Sequence, residues 1–112
     1  MKYLVILFTF LFLVGCSKFY GVKYDVTSTV SRVSVSYINE TGEINNESDV
    51  PVPWSYSFRG RTGNDVSVYA YIPKDTFGTI TVTIYKDGKV FRTATSSGTW
   101  KTSASSSGRL WL

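Results

Sequence analysis

Asp87-Gly88, set between two runs of β-branched and aromatic residues, restricts the fold of this chain more than any other feature. A two-residue hairpin turn needs positive φ at both central positions, which Gly adopts freely and Asp tolerates. Gly78–Gly98 therefore reads as two strands folded back on each other. Counting outward from the turn pairs Lys86 with Lys89, Tyr85 with Val90, Ile84 with Phe91, Thr83 with Arg92 and Val82 with Thr93. This register places Ile80, Val82, Ile84 and Phe91 on a core face, and Thr81, Thr83, Tyr85, Val90 and Arg92 on the other. A hairpin alone is marginal in water, so further strands must cover its apolar face.

The rest of the chain supplies them. Val22–Thr27 alternates apolar and polar residues, and Arg32–Ile38 puts Val33, Val35 and Tyr37 on one face. Asn39–Asp49 is rich in Gly, Asn and acidic residues and reads as an exposed loop. Val50–Pro53 carries two prolines, which lack ladder donors, and reads as an extended edge segment. Trp54–Arg59 aligns Trp54, Tyr56 and Phe58. Val66, Val68, Ala70 and Ile72 form an apolar face with Tyr69 and Tyr71 behind it, and a short irregular strand fits within the Ser-rich tail, Ser96–Leu112. About seven short strands, with no helical period after Cys16, predict an antiparallel immunoglobulin-like β-sandwich. Its core is expected on Trp54, Tyr56, Phe58, Val66, Val68, Ile80, Val82 and Ile84, with no cysteine pair to join the sheets.

The N-terminus is of another kind. Lys2 precedes an apolar run, Tyr3–Val14, shorter than the ~20 residues a spanning helix needs and suited to a signal-peptide core. The run ends in Leu13-Val14-Gly15-Cys16, which looks like a bacterial lipobox, where a thiol receives diacylglycerol and cleavage falls just before it. Cys16 is the sole cysteine, so no disulfide competes for it. The expected organisation is a signal peptide over 1–15, a lipidated Cys16 and tether over 16–21, and the sandwich over 22–112. The expected location is the cell envelope, with the membrane as partner through the lipid on Cys16. Ser17 fits outer-membrane sorting in a Gram-negative cell.

Several function classes lose support. The chain has no His, and lipidation consumes its one thiol, which removes the commonest general base, a thiol nucleophile and the usual zinc ligands. No enzymatic activity and no cofactor are expected. Formal charge falls from +4 to +3 once Lys2 leaves with the signal, and the basic residues stand singly along the sequence, so no nucleic-acid partner is expected. Glu40, Glu43, Glu47 and Asp49 offer weak candidate ligands for calcium, but their spacing matches no EF-hand loop, and a hydrated acidic loop accounts for them better. Tyr69, Tyr71 and Tyr85 fall on outward faces, with Trp100 in the tail. They are the candidate binding residues, because exposed aromatics mark contact surfaces.

Lys23-Tyr24-Asp25-Val26-Thr27, Val35-Ser36-Tyr37, Val52-Pro53-Trp54, Gly78-Thr79-Ile80-Thr81-Val82, Asp87-Gly88-Lys89-Val90 and Ala94-Thr95-Ser96-Ser97-Gly98 occur in an order and spacing that resembles the exported domain of the MmpS family. Those proteins are small accessory subunits of RND-type lipid exporters. The resemblance covers about Val22–Gly108. It implies an envelope β-sandwich that assists a transporter of the RND type, here on a lipid anchor in place of the family's usual transmembrane helix and without the cysteine pair often found in its last strands. The matching residues are mainly turn and core positions, so they speak to fold more than to role. The other function open to such a chain is a free-standing surface lipoprotein that binds glycan, lipid or a protein through an aromatic sheet face.

Overall fold

The computed structural model describes residues 18–111, so the signal segment and Cys16 lie outside the described residues. Alternating side chains build eight strands, β1 (Phe19–Ser28), β2 (Arg32–Ile38), β3 (Ile44–Pro51), β4 (Trp54–Arg61), β5 (Asp65–Tyr71), β6 (Gly78–Lys86), β7 (Lys89–Gly98) and β8 (Ser103–Arg109). They form two four-stranded antiparallel sheets, ordered β4-β1-β6-β7 and β3-β2-β5-β8. The result is a β-sandwich, as the alternation predicts, with one strand more than anticipated.

The extra strand is β3, which occupies most of the stretch read as a loop. Asn45, Asn46 and Glu47 pair with Tyr37, Ser36 and Val35 of β2. An edge strand bonds along one side only and can expose polar side chains on both faces, so hydrophobic alternation does not reveal it. β1 also begins earlier than its alternation suggests. Phe19 pairs with Arg61, and Tyr20 is buried, so residues assigned to a tether are strand.

At the hairpin, Asp87 and Gly88 take φ of 51° and 81°, as the turn requires. Lys86–Lys89 and Tyr85–Val90 pair as counted. Beyond them a bulge changes the register, so that Ile84 faces Arg92, Thr83 faces Thr93 and Val82 faces Ala94. The shift stacks hydroxyls on the outer face: Thr79–Ser97 at 2.9 Å, Thr81–Thr95 at 3.0 Å and Thr83–Thr93 at 3.0 Å. Counting from the turn would set Thr83 against Arg92 and form none of these pairs.

The core draws on both sheets. Val22, Tyr24 and Val26 of the central strand β1 meet Val33, Val35, Val66 and Val68, with Ile80, Val82 and Ile84 alongside. Of the expected core residues, Trp54, Tyr56 and Phe58 are only half-buried, because β4 is an edge strand. Hydroxyls tie the sheets where no disulfide does. Tyr24 Oη donates to the Ile38 carbonyl at 2.6 Å and accepts from the Ser67 N–H at 3.2 Å. Ser106 Oγ of β8 donates to the Val82 carbonyl of β6 at 3.2 Å. The fully buried Leu110 closes one end over Gly60, where a Cβ would stand 2.5 Å from Leu110 Cδ1. Gly60→Val is accordingly expected to cost about 1–3 kcal/mol through overpacking, read as a lower urea midpoint.

Strict antiparallel order sorts the connections to two ends. Lys18, the β2–β3, β4–β5 and β6–β7 turns, Leu110 and Trp111 share the near end, where Thr62 N–H donates to Lys18 O (2.8 Å) and Gly63 N–H to Leu110 O (2.7 Å). The other four connections share the far end, where Thr29 N–H donates to Thr79 O (3.0 Å) and Ile72 N–H to Thr102 O (2.9 Å).

Candidate functional aromatic surface

On β5, Val66, Val68 and Ala70 turn inward, which sends Tyr69 and Tyr71 outward from the β3-β2-β5-β8 sheet. Their strand neighbours are Ser36 and Ser34 on β2, and Ser105 and Ser103 on β8. These short side chains leave the phenol rings standing above the sheet. Tyr69 is 41% and Tyr71 37% exposed, with ring centroids 5.9 Å apart. Together with Ile72, Pro73, Asp75 and Lys101 they line an open groove of about 410 Å³.

The β7–β8 connection extends this surface. Lys101 takes φ of 48° and holds its Nζ 4.7 Å from the centre of the Trp100 ring, which is 65% exposed. Phe77, in the β5–β6 connection at the same end, is 66% exposed. Sequence reasoning passed over it, although a large apolar residue isolated between Pro73 and Gly78 is the available signal. Four exposed aromatics therefore gather toward the far end.

Tyr85 does not join them. It lies on β6 in the opposite sheet, half-buried, with Lys23 Nζ 5.8 Å from its ring. Outward positions on the two layers of a sandwich point in opposite directions, so the three tyrosines form no common surface.

The four acidic residues are likewise spread out. Tyr56 Oη donates to both oxygens of Glu40 (2.6 and 2.9 Å), and Tyr37 Oη donates to Glu47 (2.8 Å). Thr41 Oγ1 donates to Glu43 (3.0 Å), and Asp49 pairs with Arg32 at 3.0 Å. Among the described residues, no three His, Cys, Asp or Glu side chains come together as a metal site. Glu47 and Asp49 lie on β3, where each residue advances the chain by about 3.3 Å, and Glu40 and Glu43 lie in the turn before it. The Glu40 contact pushes the Tyr56 hydroxyl up to about 12, chiefly because the hydrogen bond requires its proton. Burial raises the Tyr37 hydroxyl as well. Glu40→Gln is expected to move Tyr56 ionisation back toward the ordinary phenol value near ~10, followed as phenolate absorbance against pH.

Basic residues that stand singly in the sequence meet in space. Lys18, Lys86 and Lys89 line one near-end groove, and Arg59 and Arg61 both stand over Phe19 on the same sheet. No protein-family model matches the chain, and no curated protein matches it either.

Proposed function

We propose that the protein is a lipid-anchored, non-enzymatic module of the cell envelope that binds a protein partner through its far-end aromatic surface, as an accessory subunit of an export system. The carrying observation is the gathering of Tyr69, Tyr71, Phe77 and Trp100 toward the end of the sandwich opposite the chain's N-terminal side. Exposed aromatic residues beside a lysine suit a protein interface, where aromatic anchors contribute most of the affinity. The absence of His, and tyrosines pushed up rather than toward neutrality, support a binding rather than a catalytic role. The export role rests on the MmpS resemblance, and the membrane attachment on the lipobox at Cys16.

Affinity purification of the full-length protein from mild-detergent membranes tests this reading. Recovery of an RND-type transporter subunit is expected. A protein that returns with only its acyl chains overturns the accessory role and favours the free-standing lipoprotein, with a glycan and lipid screen as the next step.

A further inference from the structure

The near end differs in character from the far end. Lys18, Lys86 and Lys89 line a groove of about 350 Å³ together with Tyr20 and Phe91. Lys86 Nζ sits 4.3 Å from the Tyr20 ring centre and 5.7 Å from that of Phe91, and it donates to the Trp111 carbonyl at 3.1 Å. On the flanks, Arg59 and Arg61 stand 5.2 and 5.9 Å over Phe19, and Arg92 stands 4.2 Å over Phe91. The acid in this groove, Asp87, accepts the Gly21 N–H at 2.8 Å. Glu40 and Glu43 lie in the turn of the other sheet, and Asp65 is paired with Arg109 at 2.9 Å. Positive charge is therefore concentrated along one end of the β4-β1-β6-β7 sheet, a basic corner of the sandwich. Exposed apolar side chains border it, with Phe19 53%, Val90 60% and Trp111 61% exposed.

This corner stands next to the anchor position. Lys18 is fastened to the β4–β5 turn: its N–H donates to Thr62 Oγ1 at 3.2 Å, and its carbonyl accepts from the Thr62 N–H at 2.8 Å. Cys16 precedes it by two residues, a span of at most about 7 Å of extended chain. A lipid on Cys16 would thus hold the corner within about one screening length, ~8–10 Å, of the headgroups. Basic side chains with interfacial aromatics are what an anionic membrane surface attracts.

We propose that this basic corner seats on anionic lipid headgroups and so holds the domain upright, with the Tyr71–Trp100 surface directed away from the bilayer. The proposal rests on the lipid-anchored reading. Its test uses the mature protein purified from membranes and reconstituted into vesicles of phosphatidylcholine alone, or of phosphatidylcholine with phosphatidylglycerol. Trp111 is left as the sole tryptophan by Trp54→Phe and Trp100→Phe, and its emission is quenched with headgroup-level nitroxide lipid.

Quenching is expected on the anionic vesicles and is lost in high salt and in the Lys18→Gln, Lys86→Gln, Lys89→Gln variant, while a sole Trp100 stays unquenched throughout. Trp111 quenching that is equal on both vesicles and indifferent to salt and to the lysines overturns the proposal, as does equal quenching of Trp100. The mass of the same preparation reports the anchor separately. Missing acyl chains refute the anchored reading, and sedimentation of that protein with each vesicle type still decides whether the corner binds anionic lipid.

Discussion

Tyr24→Ala is expected to lower the stability of the domain by about 3–5 kcal/mol, the usual loss when a large buried ring is removed from a core. The Tyr24 side chain is fully buried, lies 5.3 Å from the Phe58 ring and 5.9 Å from the Tyr37 ring, and carries the hydroxyl that joins β1 to Ile38 and Ser67 of the facing sheet. Small domains are stable by about 5–15 kcal/mol in total, so this single change consumes a large part of the margin. Tyr24→Phe keeps the ring and removes only the tie. Leaving a part-buried carbonyl and N–H without their partner is expected to cost about 1–3 kcal/mol. Urea unfolding of the two variants separates packing from the hydrogen bonds.

The same hydroxyl makes stability depend on pH in a defined direction. Burial pushes Tyr24 up to about 12, whereas an unfolded tyrosine ionises near ~10. A group raised on folding contributes its full stabilisation below the unfolded value and loses it as pH rises through the folded one. Stability is therefore expected to fall between about pH 10 and 12, by roughly 2–3 kcal/mol from Tyr24 alone. Tyr24→Phe removes that part of the fall. A smaller alkaline decline remains, because Tyr56 shifts in the same sense. An unchanged pH profile in the Phe variant contradicts the assignment.

Tyr71→Ser combined with Trp100→Ser is expected to reduce partner capture by about 30-fold or more, the effect of losing at least one interface anchor of roughly 2 kcal/mol. Trp100 is 65% exposed, whereas Tyr71 is 37% exposed and packs beside Tyr69, with ring centroids 5.9 Å apart. Trp100→Ser alone is expected to unfold within about 0.5 kcal/mol of the parent, and urea unfolding of the double variant separates lost packing at Tyr71 from lost contact. Tyr85→Ser provides the control, since that residue faces away on the opposite sheet. Capture lost with Tyr85→Ser and retained in the double variant would transfer the working surface to the other layer.

Much of the fold is legible in the sequence because period two is a strong signal wherever one face is buried. β2 and β5 show it plainly: Val33, Val35, Val66 and Val68 alternate with polar residues and are all buried. The turn at Asp87-Gly88 is legible for a different reason, since positive φ restricts the residues that fit it. Legibility fails where the determining contact is made by a distant strand. β3 is held by backbone pairing with β2, which leaves no apolar pattern in Asn45–Ser48. The bulge in β6–β7 depends on matching Thr83 with Thr93 and Thr81 with Thr95, an energy that turn counting does not include.

The surface shows the same division. That Tyr69 and Tyr71 point outward follows from local alternation on β5, and the structure places them so. That Tyr85 belongs to the other layer depends on which strands share a sheet, and alternation carries no such information. Spacing along the chain is equally silent about the near-end charge. Lys18 and Lys86 are far apart in sequence and meet over the Tyr20 ring because β1 pairs with β6.

On the proposed reading the far aromatic end is the working end and the N-terminal end faces the membrane. In-cell photocrosslinking of the full-length protein tests this most directly, with the photoreactive residue at Tyr71, Trp100 or Phe19 in turn. Crosslinks from Tyr71 and Trp100 to one envelope protein, and from Phe19 to lipid, are the predicted result. Protein crosslinks from Phe19, with none from Tyr71 or Trp100, would contradict it.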